Sequence, residues 1–554
     1  MARAISPLDE PACFFDFFEI AYKHVSSVIL HNTTCSGILL PRAATLCYKN
    51  SSRGCGSFRV CLFHHYIERS VRDYPEKIAV KIDGARATYR ELDDIGNQIA
   101  GRLVDDGIRA GDRIAIYGVI SIRLLGVVLG IFKAGAVLVG VHHTFGLRKL
   151  MFELRDSGAC AVITDRAAEL RERQLDYTIY SCKDDFSAAV PERDCSFCRE
   201  VQEEDISVIF YTSGSTSRPK GVAVNHKNMI AAFKSVTGYL ENTSEDVVLS
   251  YSTLGSDYGF YNVMMPLMFG GTALVERALP DDPDEIIDLI DAHGVTGLQV
   301  FPPFIFHLLK ATALGRRAPR SLRYISTSGQ ALPVKHIRRL RKAWPSVQIF
   351  SNYGLTECKR VSFLPPDEID QRPQSVGRAI PGVRTYLFAE DRSLVIEPGQ
   401  VGELGVAGDL LMQKYWNMPE ETSDRMIEGV ASEARVFLTG DLFRVDGQGY
   451  LYYVARKDDA FARSGFKVNP REIEQLLITH PAVSEAAVVP VADETVGHLP
   501  KALIVAEQAT SITSHELLEY CTMHLDWHMV PAFVEFVPAL PRTASGKTAT
   551  RALS

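Results

Sequence analysis

From Phe63 onward the chain alternates between two patterns, apolar residues at helical spacing and short continuous apolar runs. Residues 63–71 place their apolar side chains on one helical face. Ile78-Ala-Val-Lys-Ile then reads as a strand, and Thr88-Tyr-Arg-Glu-Leu opens a helix with Thr88 as its N-cap. Arg113–Tyr117 predicts a strand, Ile120–Phe132 a helix, and 136–139 and 161–164 two more strands. Residues 166–204 are polar and irregular. The alternation resumes with apolar runs at 208–210, 246–250, 272–275, 297–300, 322–326 and 347–350, separated by helical patterns over 261–269 and 283–293. Strands alternating with helices predict parallel α/β layers. The most apolar stretch, Leu124–Val141, is interrupted by Lys133 and reads as a buried helix followed by a strand rather than a membrane span.

From about residue 376 the pattern changes to short strands with Gly and Pro turns, which predicts a β-rich subdomain. It closes with a strand over 447–454. The charge cluster Ala455-Arg-Lys-Asp-Asp459 then leads into a small α+β region with βαβ-type alternation. The expected organisation is an irregular extension over 1–58, a large domain over 59–456 and a small domain over 457–554. The extension holds Cys13, Cys35, Cys47 and Cys55 and lacks the long apolar core of a signal peptide.

A chain of 554 residues exceeds one ordinary core, in keeping with more than one domain. With 46% apolar and 23% charged residues it has a soluble globular composition. A formal net charge of −7 provides no basic field and argues against nucleic acid as a partner. The eleven cysteines show no repeating pattern, and Cys195 and Cys198 are the only close pair. No second pair or histidine set at ligand spacing accompanies them, so they read as incidental thiols of a reducing, cytoplasmic setting.

The candidate chemistry begins where the apolar run Val208-Ile-Phe210 breaks into Tyr211-Thr-Ser-Gly-Ser-Thr-Ser-Arg-Pro-Lys-Gly221. Glycines allow backbone N–H groups to turn inward, hydroxyls add donors, and lysine adds positive charge, so the loop suits a polyphosphate. Lys220 is followed by Gly221 rather than Ser or Thr, which separates it from a Walker A loop. Further on, two apolar runs end in polar turns, Ser328-Gly329-Gln330 and Asn352-Tyr353-Gly-Leu-Thr356-Glu357. Carboxyl ends of parallel strands are where α/β proteins place ligands.

Taken together, Tyr211–Gly221, Tyr353–Glu357, Thr439-Gly-Asp441, Arg456-Lys-Asp-Asp459 and Pro541-Arg-Thr-Ala-Ser-Gly-Lys547 resemble, in order and spacing, the motifs of the adenylate-forming superfamily. That superfamily comprises acyl-CoA synthetases, luciferase-like ligases and nonribosomal-peptide adenylation domains, and the resemblance covers residues 60–554. It implies an ATP-dependent ligase that joins a carboxylate to ATP, releases pyrophosphate and passes the acyl group to a thiol. The resemblance assigns Thr212, Ser213, Gly214, Ser215, Thr216 and Lys220 to the β/γ-phosphates. Ser217 stands where many relatives have glycine. Tyr353 becomes the adenine-stacking face, with Ser328, Gly329, Gln330 and Asn352 near the purine. Thr356 becomes a donor to the α-phosphate and Glu357 the Mg²⁺ ligand, a hard cation suited to carboxylate oxygen. Asp441 accepts the ribose hydroxyls, with Arg456 beside it. Lys547 bridges substrate carboxylate and α-phosphate, and Asp458 marks the hinge on which a mobile C-terminal domain turns.

The same alignment lines the acid pocket with Asp257, Tyr258, Tyr261, Val300, Ser326, Ser328, Arg360 and Val361. In amino-acid-activating relatives an aspartate here pairs with the substrate ammonium. Asp257 takes that place or else caps the following helix, and Arg360 pairs Asp257 or a second anionic group on the substrate. Amino acids and aryl or aliphatic acids therefore both stay open. Ser554 follows soon after Lys547, so the expected acceptor is free CoA or the phosphopantetheine of a separate carrier protein. Two alternatives remain: a stand-alone amino-acid adenylation enzyme loading a carrier protein only, and an adenylating enzyme that forms no thioester.

Overall fold

The computed structural model describes residues 62–186, 201–212, 219–329 and 332–542, apart from 431, 458, 460, 465, 494 and 508–509, together with Thr548. Arg59–Ser554 forms one compact unit. Two largely parallel sheets dominate it. In the first, the strands run in the spatial order 378–379, 362–364, 348–353, 324–327, 297–300, 247–250, 272–275, 78–82 and 85–88. In the second the order is 414–415, 220–225, 206–212, 137–140, 113–117, 161–164 and 178–181.

The apolar runs become strands buried on both faces. Val137–Gly140, Ala161–Thr164, Thr272–Val275 and Gly297–Val300 are buried at every residue. Such runs are what parallel strands covered by helices require. Thr88 caps its helix as expected, its hydroxyl accepting from the Glu91 N–H. That helix, Tyr89–Asp105, packs against Ile122–Lys133, which starts at the Ser121 cap. A Cβ at Gly126 would lie 2.1 Å from Ile95 Cγ2, so only glycine lets the two helices approach this closely. The largest core cluster includes Phe63, Phe132, Phe210 and Phe260, whose rings meet edge-on or tilted. Each such ring removed from water stabilises the fold by roughly 1.5–3 kcal/mol.

Several expectations are corrected. Residues 166–204 contain a short helix, Ala167–Glu172, and a strand, Thr178–Ser181, which pairs in parallel with Ala161–Thr164 at the sheet edge. The helix expected over 261–269 begins at Asp257 and runs to Met268, because Ser256 caps it through a 3.3 Å bond from the Gly259 N–H. The strand expected over 447–454 is Leu451–Arg456, since the Asp446 carboxylate folds 446–450 into a turn by accepting from the Gln448 and Tyr450 N–H groups.

A third sheet is antiparallel, in the order 383–388, 401–408, 433–445 and 426–430, with 451–456 paired to 433–445. A fourth contains only strands from residue 461 onward: 466–468, 461–463, 497–506 and 483–493. Its longest pair, Val483–Asp493 with Gly497–Ala506, is an antiparallel hairpin rather than a βαβ crossover. The expected crossover does occur once, from Gly497–Ala506 through helix Ser514–His524 to the parallel strand Phe533–Phe536. No helix among the described residues is long and apolar enough to cross a membrane.

Candidate active site

The first sheet points the carboxyl ends of its parallel strands to one side. Tyr324–Thr327 ends there and is followed by Ser328, which is buried, and Gly329 at φ +91°. Gln348–Tyr353 lies beside it in parallel register. Asn352 is engaged inside the protein: its amide donates to Ser326 Oγ at 3.0 Å, the Thr327 carbonyl at 2.9 Å and the Phe350 carbonyl at 3.1 Å, and its carbonyl accepts from Tyr239 Oη at 3.1 Å. Asn352 thus pins the two strand ends together. Ser326 and Val361 are fully buried, and Val300 nearly so.

Residues 354–360 form a loop closed at its base by the Val361 N–H on the Tyr353 carbonyl, 2.9 Å. A Cβ at Gly354 would sit 2.2 Å from the Lys359 carbonyl oxygen, so the loop can fold back on itself only with glycine there. Lys359 has φ +58°, a left-handed backbone that favours glycine. The loop carries Thr356 and Glu357, both half-buried, and then Lys359 and Arg360.

Glu357 Oε1 accepts from Tyr415 Oη at 2.8 Å, and the Glu357 carbonyl accepts from Met412 N at 2.8 Å. Burial, with Glu357 close by, raises the Tyr415 phenol far above its ordinary range, so it remains a donor. Tyr415 reaches this place because Lys414–Tyr415 pairs with Lys220–Asn225, the strand after the glycine-rich loop. Lys220 Nζ lies 5.3 Å from the centre of the Tyr415 ring, and Thr212 pairs with Lys220 across the hairpin. Lys220, Tyr415 and Glu357 therefore follow one another in space.

Asp441 lies on the strand Glu433–Val445, directly across from Arg456 on Leu451–Arg456. Arg456 Nε is 3.5 Å from Asp441 Oδ1, and Tyr353 Oη donates to Asp441 Oδ2 at 2.6 Å. The Tyr353 ring meets Phe443 edge-on at 4.8 Å. Burial and the negative charge of Asp441 hold the Tyr353 phenol well above its ordinary range. Beside this pair, buried Glu403 accepts from the Gly440 N–H at 3.0 Å and from Lys457 Nζ at 2.8 Å.

Asp257 is the first residue of its helix and not the cap. Its carboxylate is taken by Lys359 Nζ in a close ion pair, with 4% of the lysine side chain exposed. Burial pushes the Asp257 carboxyl up and Lys359 opposes it. The sequence pattern gave no sign of this partner. Lys359 Nζ also lies 5.2 Å from the Tyr261 ring, and Arg360 Cζ lies 5.8 Å from the Tyr258 ring. Ser213, Gly214, Ser215, Thr216, Gln330, Asp458 and Lys547 lie outside the described residues.

A mixed α/β body with a smaller C-terminal sheet, and a polar cluster at its strand ends, is the architecture of adenylate-forming enzymes. The sequence matches the AMP-binding enzyme family over residues 67–416 and the AMP-binding enzyme C-terminal domain over 472–547. The chain belongs to this family of AMP-forming ligases. It is 29% identical to 2-succinylbenzoate–CoA ligase of Geobacillus sp. (strain WCH70), over 85% of this chain and 93% of the relative. It is 30% identical to surfactin synthase subunit 2 of Bacillus subtilis (strain 168), over 89% of this chain but 14% of that protein. The chain likewise spans 11% of gramicidin S synthase 2. Among solved structures, o-succinylbenzoate CoA synthetase from Bacillus subtilis, in complex with its acyl-adenylate intermediate, superposes with a TM-score of 0.78 at 26% identity, covering 88% of this chain and 97% of that one. The amide bond synthetase McbA from Marinactinospora thermotolerans superposes with a TM-score of 0.78 at 25% identity, covering 89% and 99%.

Proposed function

We propose that this protein activates a carboxylic acid as its acyl-adenylate, releases pyrophosphate and passes the acyl group to the thiol of CoA or of a carrier-protein phosphopantetheine arm. The observation that supports this best is Asp441 held between Tyr353 and Arg456 at 2.6 and 3.5 Å. That arrangement presents an aromatic face beside an oriented carboxylate, which suits adenine and the ribose hydroxyls of ATP.

In this reading Thr212, Lys220 and residues 213–216 hold the β/γ-phosphates, and Thr356 donates to the α-phosphate. Displacement at phosphorus needs fixed donors and positive charge more than a protein nucleophile. Mg²⁺ fits the residues present. It is commonly held by one or two carboxylates together with substrate phosphates. Glu357 supplies one carboxylate here, and no group of three potential metal ligands occurs among the described residues. When bound, such an ion neutralises phosphate charge. Lys547 bridges the acid and the α-phosphate, and residues 457–554 turn about Asp458 between the two half-reactions.

The test is an ATP–pyrophosphate exchange screen with Mg²⁺ over amino, aryl and fatty acids. Products are then analysed by mass with CoA, a phosphopantetheinylated carrier protein and simple amines as acceptors. Exchange followed by a thioester is expected. No exchange with any acid overturns the reading. An amide with no thioester replaces it by the amide-forming reading that the likeness to the amide bond synthetase favours.

A further inference from the structure

Arg360 is 6% exposed, and its Nη1 has no hydrogen-bond partner. A buried guanidinium is costly unless an anion meets it. One candidate, Asp257, feels the charge of Arg360 but is ion-paired with Lys359. Glu357, on the same loop, is held by Tyr415 and assigned above to the metal. Arg360 rests instead against the Tyr258 ring, whose face attracts a cation without neutralising it. One turn along the same helix, the hydroxyl of buried Tyr261 also lacks a partner. Asp257, Lys359 and Arg360 thus sum to one positive charge, which Glu357 offsets only while it holds no metal.

Resting on the ligase reading, we infer that the acid activated here carries a second anionic group, a distal carboxylate paired with Arg360, so that the substrate class is dicarboxylic acids rather than amino acids. The reacting carboxylate goes to phosphorus and the distal one remains ionised against the guanidinium. A planar fork of donors matches a carboxylate in two parallel bonds. An ammonium substrate meets the opposite situation, since the carboxylate that would receive it is occupied and the nearest unpaired charge is positive.

The experiment compares acids of matched length that differ only at the far end: hexanoate, adipate and the adipate monoamide, and benzoate, terephthalate and 4-carbamoylbenzoate, with leucine and phenylalanine as ammonium-bearing acids. Exchange is measured for the wild type, Arg360→Leu and Arg360→Lys. In the wild type the diacid of at least one set is expected to exceed its amide in kcat/KM by roughly 10–100-fold, the span of a charge-assisted bond. Arg360→Leu brings that ratio close to one, mainly through KM, and Arg360→Lys restores part of it. The wild-type comparison needs no variant, so it stands even if Arg360→Leu misfolds. Exchange that favours amides, unsubstituted acids or amino acids overturns the inference and leaves the ligase reading intact. So does a diacid-to-amide ratio unchanged by Arg360→Leu. Exchange with no acid overturns both.

Discussion

The Tyr353 hydroxyl donates to Asp441 Oδ2 at 2.6 Å, joining the end of a strand in the parallel sheet to a strand of the antiparallel one. The bond fixes the carboxylate rotamer and leaves Oδ1 to Arg456. Tyr353→Phe keeps the aromatic face and removes the bond. The expected result is a KM for ATP raised roughly tenfold, near the lower end of what a bond to a charged group is worth, with kcat little changed. Tighter ATP binding in this variant would show instead that the tyrosine competes with the ribose.

On the proposed reading Lys547 serves the first half-reaction alone. Lys547→Ala is expected to slow pyrophosphate exchange roughly a thousandfold, about 4 kcal/mol of barrier. Thioester formation from a supplied acyl-adenylate should proceed at the wild-type rate. Equal loss in both assays would remove that division of labour.

The ion pair between Asp257 and Lys359 lies inside the protein, so its halves are unequal to the whole. Lys359→Met leaves the buried carboxylate with only the weaker influence of Arg360 and is expected to destabilise the fold by up to about 3–5 kcal/mol. Adding Asp257→Leu should return most of that loss. Urea melts of the four proteins in the cycle give the coupling, and simple additivity would show that the pair contributes nothing.

Buried imidazoles contribute to the response to acid. His226 accepts from the Phe63 N–H on Nδ1 at 3.2 Å and is 4% exposed. Burial, with His65 adding to it and Asp205 opposing, lowers its pKa to about 4. An unfolded histidine binds its proton near pH 6.5 while the folded one does not, so this contribution to stability is full above about pH 6.5 and is lost as pH falls toward 4. Between pH 7 and pH 5 the loss is on the order of 2 kcal/mol for this one group. His226→Gln keeps an acceptor and removes the titration. Its denaturation midpoint should fall less between pH 7 and pH 5 than that of the wild type, and an equal fall would place the acid sensitivity elsewhere.

Most of the parallel core could be read from the chain because its strands are unbroken apolar runs such as Ala161–Thr164. The adjoining edge strand Thr178–Ser181 escaped, since only Tyr180 and Ser181 are buried and the stretch looks polar. Likewise Glu357, Asp441 and Arg456 sit in local motifs, whereas Tyr415 reaches Glu357 only by strand pairing. The Lys359 pairing was illegible for a different reason. A lysine in a turn reads as solvated, and only the left-handed backbone at Lys359 and the close approach at Gly354 turn it toward an aspartate more than a hundred positions away.

The pairing of Val80 with Ala273 carries a consequence for how the protein is made. At synthesis rates of about 5–20 residues per second, the hairpin formed by residues 78–88 waits on the order of 10–40 s before its neighbouring strand leaves the ribosome. For that interval Ala79, Val80 and Ile82, buried in the finished fold, lie on a strand whose edge is still open. Until residues 272–275 follow, the first sheet lacks the strand that covers this edge, so residues 78–88 cannot complete it alone.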